Sequence, residues 1–329
     1  MELRILDAAE VRQALPMAAA INATKIAFAQ VAAGEVTLPL RTQIDVTDHS
    51  GVALFMPAYA AGSDALAIKA VAVYPDNPGR GLPTIHGVVL VIDAATGQPR
   101  ALLEGGTLTA IRTGAASGAA TDLLARPEAR VAAIIGSGVQ ARTQLEAICT
   151  VRAIEEVRVY SLDRVQAESF ARELAGQGPI PADIRVAPDG DSAVAGADVV
   201  CTATTSSTPV FSAAAISPGC HINAVGGYRP DMQEIPAGIV QRALLVVDQR
   251  TAVLAEAGDI IIPLRQGLFE ETHIYAELGA IASGQQPGRT SESQITLFKS
   301  VGLAVQDAVA ATAALERAQA EGLGSLVTL

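Results

Sequence analysis

Residues 131–141 read VAAIIGSGVQA. Five apolar residues, Val131 to Ile135, run into Gly136-Ser137-Gly138 and then Val139-Gln140-Ala141. The form is G-x-G-x-x-A. The first glycine permits a tight turn out of a buried strand. The second lets the backbone approach a pyrophosphate, and the small third residue lets the next helix pack closely on the strand. The helix N-terminus then faces the phosphates. A second strand, VRVYS at 157–161, follows the helix. The stretch therefore predicts a dinucleotide-binding strand–loop–helix unit, with Gly136 and Gly138 at the cofactor.

Strands and helices alternate from residue 130 onward. Strands are expected at 130–135, 157–161, 184–186, 198–203, 221–225 and 243–248, with helices between most of them. That alternation predicts a parallel sheet covered on both faces. Upstream the pattern differs. Residues 2–6 suit a short strand. Asp7 and Glu10 form an Asp-x-x-Glu cap for a first helix. Pro16 opens a second helix that runs to about Ala33, with Gly34 as its stop. Thr42–Val46, Val52–Met56, Leu66–Tyr74, Ile85–Ile92 and Ala101–Glu104 are separated by turn signals and predict an antiparallel sheet. Residues 107–125, rich in small side chains, read as a helix ended by Pro127. The tail ITLFKSVGLAVQDAVAATAALERAQA reads as one long helix, because Val301, Ala304, Val305 and Ala308 repeat at helical spacing. The expected fold is α/β: a Rossmann-type doubly wound parallel sheet (127–299) inserted into an α+β domain (1–126 plus 300–329).

Composition narrows the function. Half of the 329 residues are apolar and 17% are charged, which supplies a core and argues against disorder. The net charge of −11 lacks the basic surplus a nucleic-acid binder needs. Cys149, Cys201 and Cys220 fit neither a disulfide framework nor a zinc site, and the four histidines show no metal-ligand spacing, so no metal is expected. No apolar run approaches the ~20 residues of a membrane helix, and MELRILDAAE does not read as a signal peptide. A cytoplasmic location is expected.

Several residues are candidates for chemistry. Ser161 stands where NAD enzymes carry an acidic residue for the ribose 2′-hydroxyl. A neutral residue followed by Asp163 and Arg164 suits a 2′-phosphate, and so NADPH over NADH, although Asp163 argues the other way. Lys69, in ALAIKAVAVY, shares a strand face with Ala67, Val71 and Val73. A lysine buried there has its pKa lowered; the alternative is a stem on apolar surface with its head in water. Arg112 lies on the small-residue helix, where a guanidinium can hold a carboxylate bidentately; a surface arginine is the alternative. Arg41 opens a strand and carries the same two readings. Beyond the strand 221–225, Gly226, Gly227, Tyr228 and Asp231 fall where doubly wound sheets bind ligands. His86, in LPTIHG, reads as structural, with a pocket-lining role as the alternative.

At this point the chain resembles the ornithine cyclodeaminase/mu-crystallin family. The resemblance covers nearly the whole chain, through LFMPAY, AIKAV, GLPTIHGVVLVIDAATGQPRALLEGGTLTAIRTGAASGAAT, IIGSGVQA, CTATTSSTPVF, HINAVGGYRPDMQEI, EAGDI and ITLFKSVGLAVQDAVAA. It implies a Rossmann domain inserted into a substrate-binding and dimerisation domain, and a homodimer. It places Arg41, Lys69 and Arg112 at substrate-pocket positions, with Lys69 and Arg112 catalytic. It places Thr84, Arg112, Val139, Gln140, Thr202, Val225, Gly226 and Ser300 at cofactor contacts.

One departure matters. Ornithine cyclodeaminases carry GGDCPGKTE, with an aspartate directly after the two glycines. This chain has GGYRPDMQE, with Tyr228 there, and a phenol with a pKa near ~10 is a poor base at neutral pH. Asp231 and Glu234 are out of register. The resemblance therefore points to the chemistry its branches share, hydride transfer from NADPH or NADH to an imine carbon beside a carboxylate. The expected substrate is a small cyclic imino acid: Δ1-pyrroline-2-carboxylate giving L-proline, or Δ1-piperideine-2-carboxylate giving L-pipecolate, with Tyr228 at the substrate. The alternatives are an ornithine cyclodeaminase, an alanine dehydrogenase, and a non-catalytic, crystallin-like NADPH or small-ligand binder.

Overall fold

Asp7 opens the first helix as its spacing predicts. Its carboxylate accepts from the amides of Ala9 and Glu10, while Glu10 reaches back to the Asp7 amide. A computed structural model describes residues 2–329. The chain divides into two compact units, Met1–Arg112 with Leu303–Leu329, and Thr113–Gly302. The boundary thus falls inside the helix that follows the antiparallel strands, earlier than the expected 126/127.

In chain order the first unit holds β1 (Glu2–Leu6), α1 (Ala8–Ala14), α2 (Met17–Ala32), β2 (Val36–Thr37), β3 (Thr42–Val46), β4 (Gly51–Ala60), β5 (Ala65–Val73), β6 (Ile85–Asp93) and β7 (Pro99–Glu104). Helix α3 (Gly105–Leu124) then carries the chain into the second unit. There follow β8 (Val131–Ile135), α4 (Val139–Val151), β9 (Glu156–Tyr160), α5 (Arg164–Leu174), β10 (Ile184–Val186), α6 (Gly190–Val194), β11 (Val199–Thr202), β12 (His221–Ala224), α7 (Ala237–Arg242), β13 (Leu244–Val247), α8 (Arg250–Glu256), α9 (Gly258–Arg265), β14 (Ile274–Glu277), α10 (Leu278–Ala282) and β15 (Thr296–Lys299). The chain returns to the first unit as α11 (Ala304–Glu321) and β16 (Ser325–Thr328).

In the first unit the sheet runs β16-β1-β7-β6-β5-β4-β2, with β3 also on β4. β4 to β7 form the expected antiparallel meander. β4 continues past Met56 to Ala60, and Pro57 falls in the gap between the residues paired with β3 and those paired with β2. Met56, Lys69 and Val89 lie opposite one another on the buried face. α11 packs there, against β4, β5 and α2.

In the second unit eight strands run β10-β9-β8-β11-β12-β15-β13-β14, all pairs parallel. The order reverses between β8 and β11, the switch point where such sheets bind ligands. Alternate residues enter two cores: Ala133, Ile135 and Ile222 on one face, Ala132, Ile134 and Val159 on the other.

The tail departs from expectation. Residues 296–299 are a fully buried parallel strand and only 304–321 are helical. A short strand buried on both faces has no polar side, so its apolar run imitates a helix. β14 and β16, each of four residues, were not expected either.

Candidate active site

The chain has three lysines, Lys25, Lys69 and Lys299. Two of them, Lys69 and Lys299, are buried. Lysine is almost never fully buried without a partner, so each marks a place where the fold tolerates a large desolvation cost.

Lys69 is 3% exposed, in mid-β5 under α11. Its Nζ donates to Asp307 Oδ2 at 2.6 Å, and Arg112 Nε donates to Asp307 Oδ1 at 2.9 Å. One carboxylate from α11 thus bridges a strand lysine and an α3 arginine. Burial, the largest influence, takes the Lys69 amine down from its ordinary 10.5 to about 8. Asp307 pulls it up, and the charges of Arg112 and Arg41 push it down. Burial alone would raise the Asp307 carboxyl, but Arg112 and Lys69 overcome it and hold that group below its usual range. The cluster counts two cations and one anion, so its surplus charge is positive. A surplus positive charge in a buried cluster favours an anion beside it.

In the second unit the glycine loop borders a cleft of about 690 Å³, lined by Gly136, Gly138, Ser161, Leu162, Asp163 and Thr204, among others. Gly136 has φ +111°, and a Cβ there would meet the Ala203 carbonyl oxygen at 2.6 Å, so only glycine turns the chain this way. Gly138 caps α4 without a side-chain bond, and nothing lies within 4 Å of where its Cβ would stand. This loop suits close backbone approach to a diphosphate. Asp163 Oδ1 is engaged by the Gln166 amide as the cap of α5, and Arg164 pairs with Glu168.

A second buried ionic network supports the loop after β12. Lys299 Nζ donates to Asp259 Oδ2 at 2.8 Å and to the Gly227 carbonyl at 2.6 Å. Asp259 accepts from the amides of Glu234 and Ile235. Glu234 accepts from the amides of Thr204, Gly226 and Gly227 and the hydroxyls of Thr202 and Thr204. Burial raises the Glu234 carboxyl, with Lys299 opposing. Gly226 packs so tightly on Thr204 that a Cβ would overlap its backbone.

The predicted site residues fall into two groups. Arg41, Lys69, Thr84 and Arg112 belong to the first unit, where Lys69 and Arg112 meet on Asp307. Gly136, Gly138, Ser161 and Asp163 line one cleft of the second. Val139 and Gln140 open α4, and Val225 and Gly226 follow β12. The Thr202 hydroxyl is turned to Glu234, and the Ser300 hydroxyl to Asp248 at 2.8 Å. Tyr228 is 48% exposed, and Asp231 pairs with Arg229 on the surface. Glu234, considered as a stand-in for the missing aspartate, is committed to the loop. His221 is buried between Thr296 and Asn223, and burial lowers it to about 3, so it stays neutral. No cluster able to hold a metal occurs among the described residues, and no described helix is long and apolar enough to cross a membrane.

Asp307, Asp259 and Lys299 were not singled out in the sequence. Lys299, between Phe298 and Ser300 in ITLFKSVGL, carries the same signal as Lys69, a charge set in a largely apolar stretch.

Residues 1–322 match the model of the ornithine cyclodeaminase/mu-crystallin family. The chain is 42% identical over 324 residues to a Δ1-pyrroline-2-carboxylate reductase of Bacillus cereus, covering 98% of this chain and 99% of that one. Among solved structures it is similar to Thermococcus litoralis Δ1-pyrroline-2-carboxylate reductase in complex with NADH and L-proline. The TM-score is 0.93 at 43% identity, covering 98% of this chain and 99% of that one. It is also similar to an archaeal alanine dehydrogenase dimer with bound NAD, with TM-score 0.92 at 33% identity and full coverage of both. The chain is a member of the ornithine cyclodeaminase/mu-crystallin family.

Proposed function

We propose that this protein is an oxidoreductase that reduces Δ1-pyrroline-2-carboxylate to L-proline, and Δ1-piperideine-2-carboxylate to L-pipecolate, with a reduced nicotinamide dinucleotide. The observation that carries the reading is the buried Lys69–Asp307–Arg112 cluster and its surplus positive charge. The likeness to the Bacillus and Thermococcus reductases supplies the substrate class.

The cofactor, when bound, supplies the hydride. Gly136, Gly138 and the start of α4 hold its diphosphate, and Ser161 its adenosine ribose. NADPH is the preferred form: Ser161 brings no negative charge to the ribose site, and the Asp163 carboxylate is engaged in capping α5. The residues of the first unit act on the substrate. Arg112 grips the carboxylate through its terminal nitrogens, since its Nε is committed to Asp307, and Arg41 adds charge. The Lys69 ammonium lies against the imine nitrogen or carboxylate, where it stabilises charge and favours the protonated, electrophilic imine. Fixing the carboxylate orients the C=N carbon, and such positioning is a large share of the barrier reduction.

Against ornithine cyclisation stands the loop after β12. Tyr228 replaces the aspartate, and Glu234 is consumed by five internal donors. A homodimer is favoured by the outer face of the first sheet, where Phe55, Leu66, Ile68, Val88, Leu90 and Ile92 are left partly open. The free thiols of Cys149, Cys201 and Cys220 favour a reducing, cytoplasmic setting.

The test is a panel. NADPH or NADH is offered with pyrroline-2-carboxylate, with piperideine-2-carboxylate, and with pyruvate plus ammonium, beside an L-ornithine deamination assay. Cofactor oxidation with the cyclic imines is expected. Ammonia release from ornithine, or turnover of pyruvate and ammonium alone, would overturn the reading. Binding without turnover of any imine would indicate a ligand-binding protein.

A further inference from the structure

We propose that Asp307 is a positioning residue. Its two oxygens lock Lys69 and Arg112 into one rigid pair, and its charge keeps the lysine protonated for the substrate. The inference rests on the reductase reading.

The geometry is specific. Oδ2 takes the Lys69 ammonium and Oδ1 takes the Arg112 Nε, one oxygen to each cation. Contact through Nε fixes the guanidinium plane and keeps its terminal nitrogens, the pair that meets a carboxylate side by side, out of this bond. Asp307 stands in the first turn of α11, where the helix dipole favours a negative charge. It is 1% exposed, and its carboxylate accepts from Lys69 and Arg112. An aspartate in such surroundings is explained by the two cations it joins.

Removal of the carboxylate leaves Lys69 facing Arg112 from α3 and the charge of Arg41, with Met56 of β4 and Val89 of β6 uncharged on either side. Nothing in that set favours the ammonium. The amine then loses its proton at lower pH, and the pH range of activity narrows from the alkaline side.

Two variants separate charge from position. Asp307→Asn removes the charge and keeps the shape. Asp307→Glu keeps the charge and moves the oxygens by one methylene. Lysine ε-carbon NMR follows the titration without substrate, and three lysines give a spectrum assignable by Lys69→Met. In Asp307→Asn the Lys69 midpoint should fall by at least one pH unit. The alkaline limb of kcat/KM should move with it, while dinucleotide affinity stays within twofold. In Asp307→Glu the midpoint should stay within half a unit, while kcat/KM at neutral pH drops at least tenfold. An unmoved midpoint in Asp307→Asn, or a uniform loss of activity with an unchanged pH profile, would reduce Asp307 to a structural counter-ion. If Asp307→Asn does not fold, Asp307→Glu still decides: wild-type kcat/KM overturns the positioning role. Failure of the wild-type enzyme on every cyclic imine would sink the reductase reading alone, because the NMR titration needs no turnover.

Discussion

Replacement of Lys69 by methionine should stabilise the protein while destroying its activity. The side chains are similar in length and the site is 3% exposed, so methionine fills the space without a cavity. What changes is the charge. Lys69 titrates at about 8 instead of 10.5. At ~1.4 kcal/mol per pH unit, holding the ammonium in the folded protein costs about 3 kcal/mol. That figure already includes the attraction of Asp307, which keeps Arg112 as its partner in the variant. Between pH 8 and 10.5 the unfolded chain binds more protons than the folded one, so wild-type stability rises with pH across that window. Below pH 8 the full cost is present. Urea denaturation at 25 °C and pH 7 should place Lys69→Met about 2–3 kcal/mol above wild type, with a gap that shrinks toward pH 10. Turnover should fall at least a hundredfold (on the order of 3 kcal/mol of transition-state stabilisation), with near-normal dinucleotide binding. A variant less stable than wild type at pH 7, or a gap indifferent to pH, would refute the reasoning.

Three further outcomes are expected. Lys299→Met removes the cation from a network that also holds Asp259 and Glu234, so thermal or urea unfolding should show a loss of about 3–5 kcal/mol; a loss below about 1 kcal/mol would mean that the network relaxes by protonation. Arg112→Ala should raise the substrate KM at least tenfold, read by steady-state kinetics with the cyclic imine, and a change confined to stability would make the arginine structural. Ser161→Asp should move the NADPH/NADH preference toward NADH, because a carboxylate repels the 2′-phosphate, and an unaltered ratio would misplace the ribose site.

The glycine loop and the alternation around it were legible because each residue there answers a distinct geometric demand. Gly136 must adopt a positive φ, and β8 must be apolar on both faces because both are covered. The same double burial hid β15. In TLFK all four residues are inside, no polar face breaks the run, and the helical period of α11 was extended backwards over it. Lys69 was legible as a charge among apolar neighbours, but its partner was not. Asp307 lies 238 positions away, and α11 was read only for its apolar spacing. Lys299 and Asp259 were missed for the same reason. For Glu234, register with an aspartate of the cyclodeaminases says nothing of the five donors that fold around it.

The central claim is that Lys69 and Arg112, joined by Asp307, receive the carboxylate of a small cyclic imino acid. A crystal structure of the protein with L-proline and the dinucleotide tests it most directly. The proline carboxylate should lie within hydrogen-bond distance of the Arg112 terminal nitrogens and of Lys69 Nζ, with both Asp307 bonds intact. Proline bound elsewhere, or a carboxylate that touches neither cation, would contradict the account.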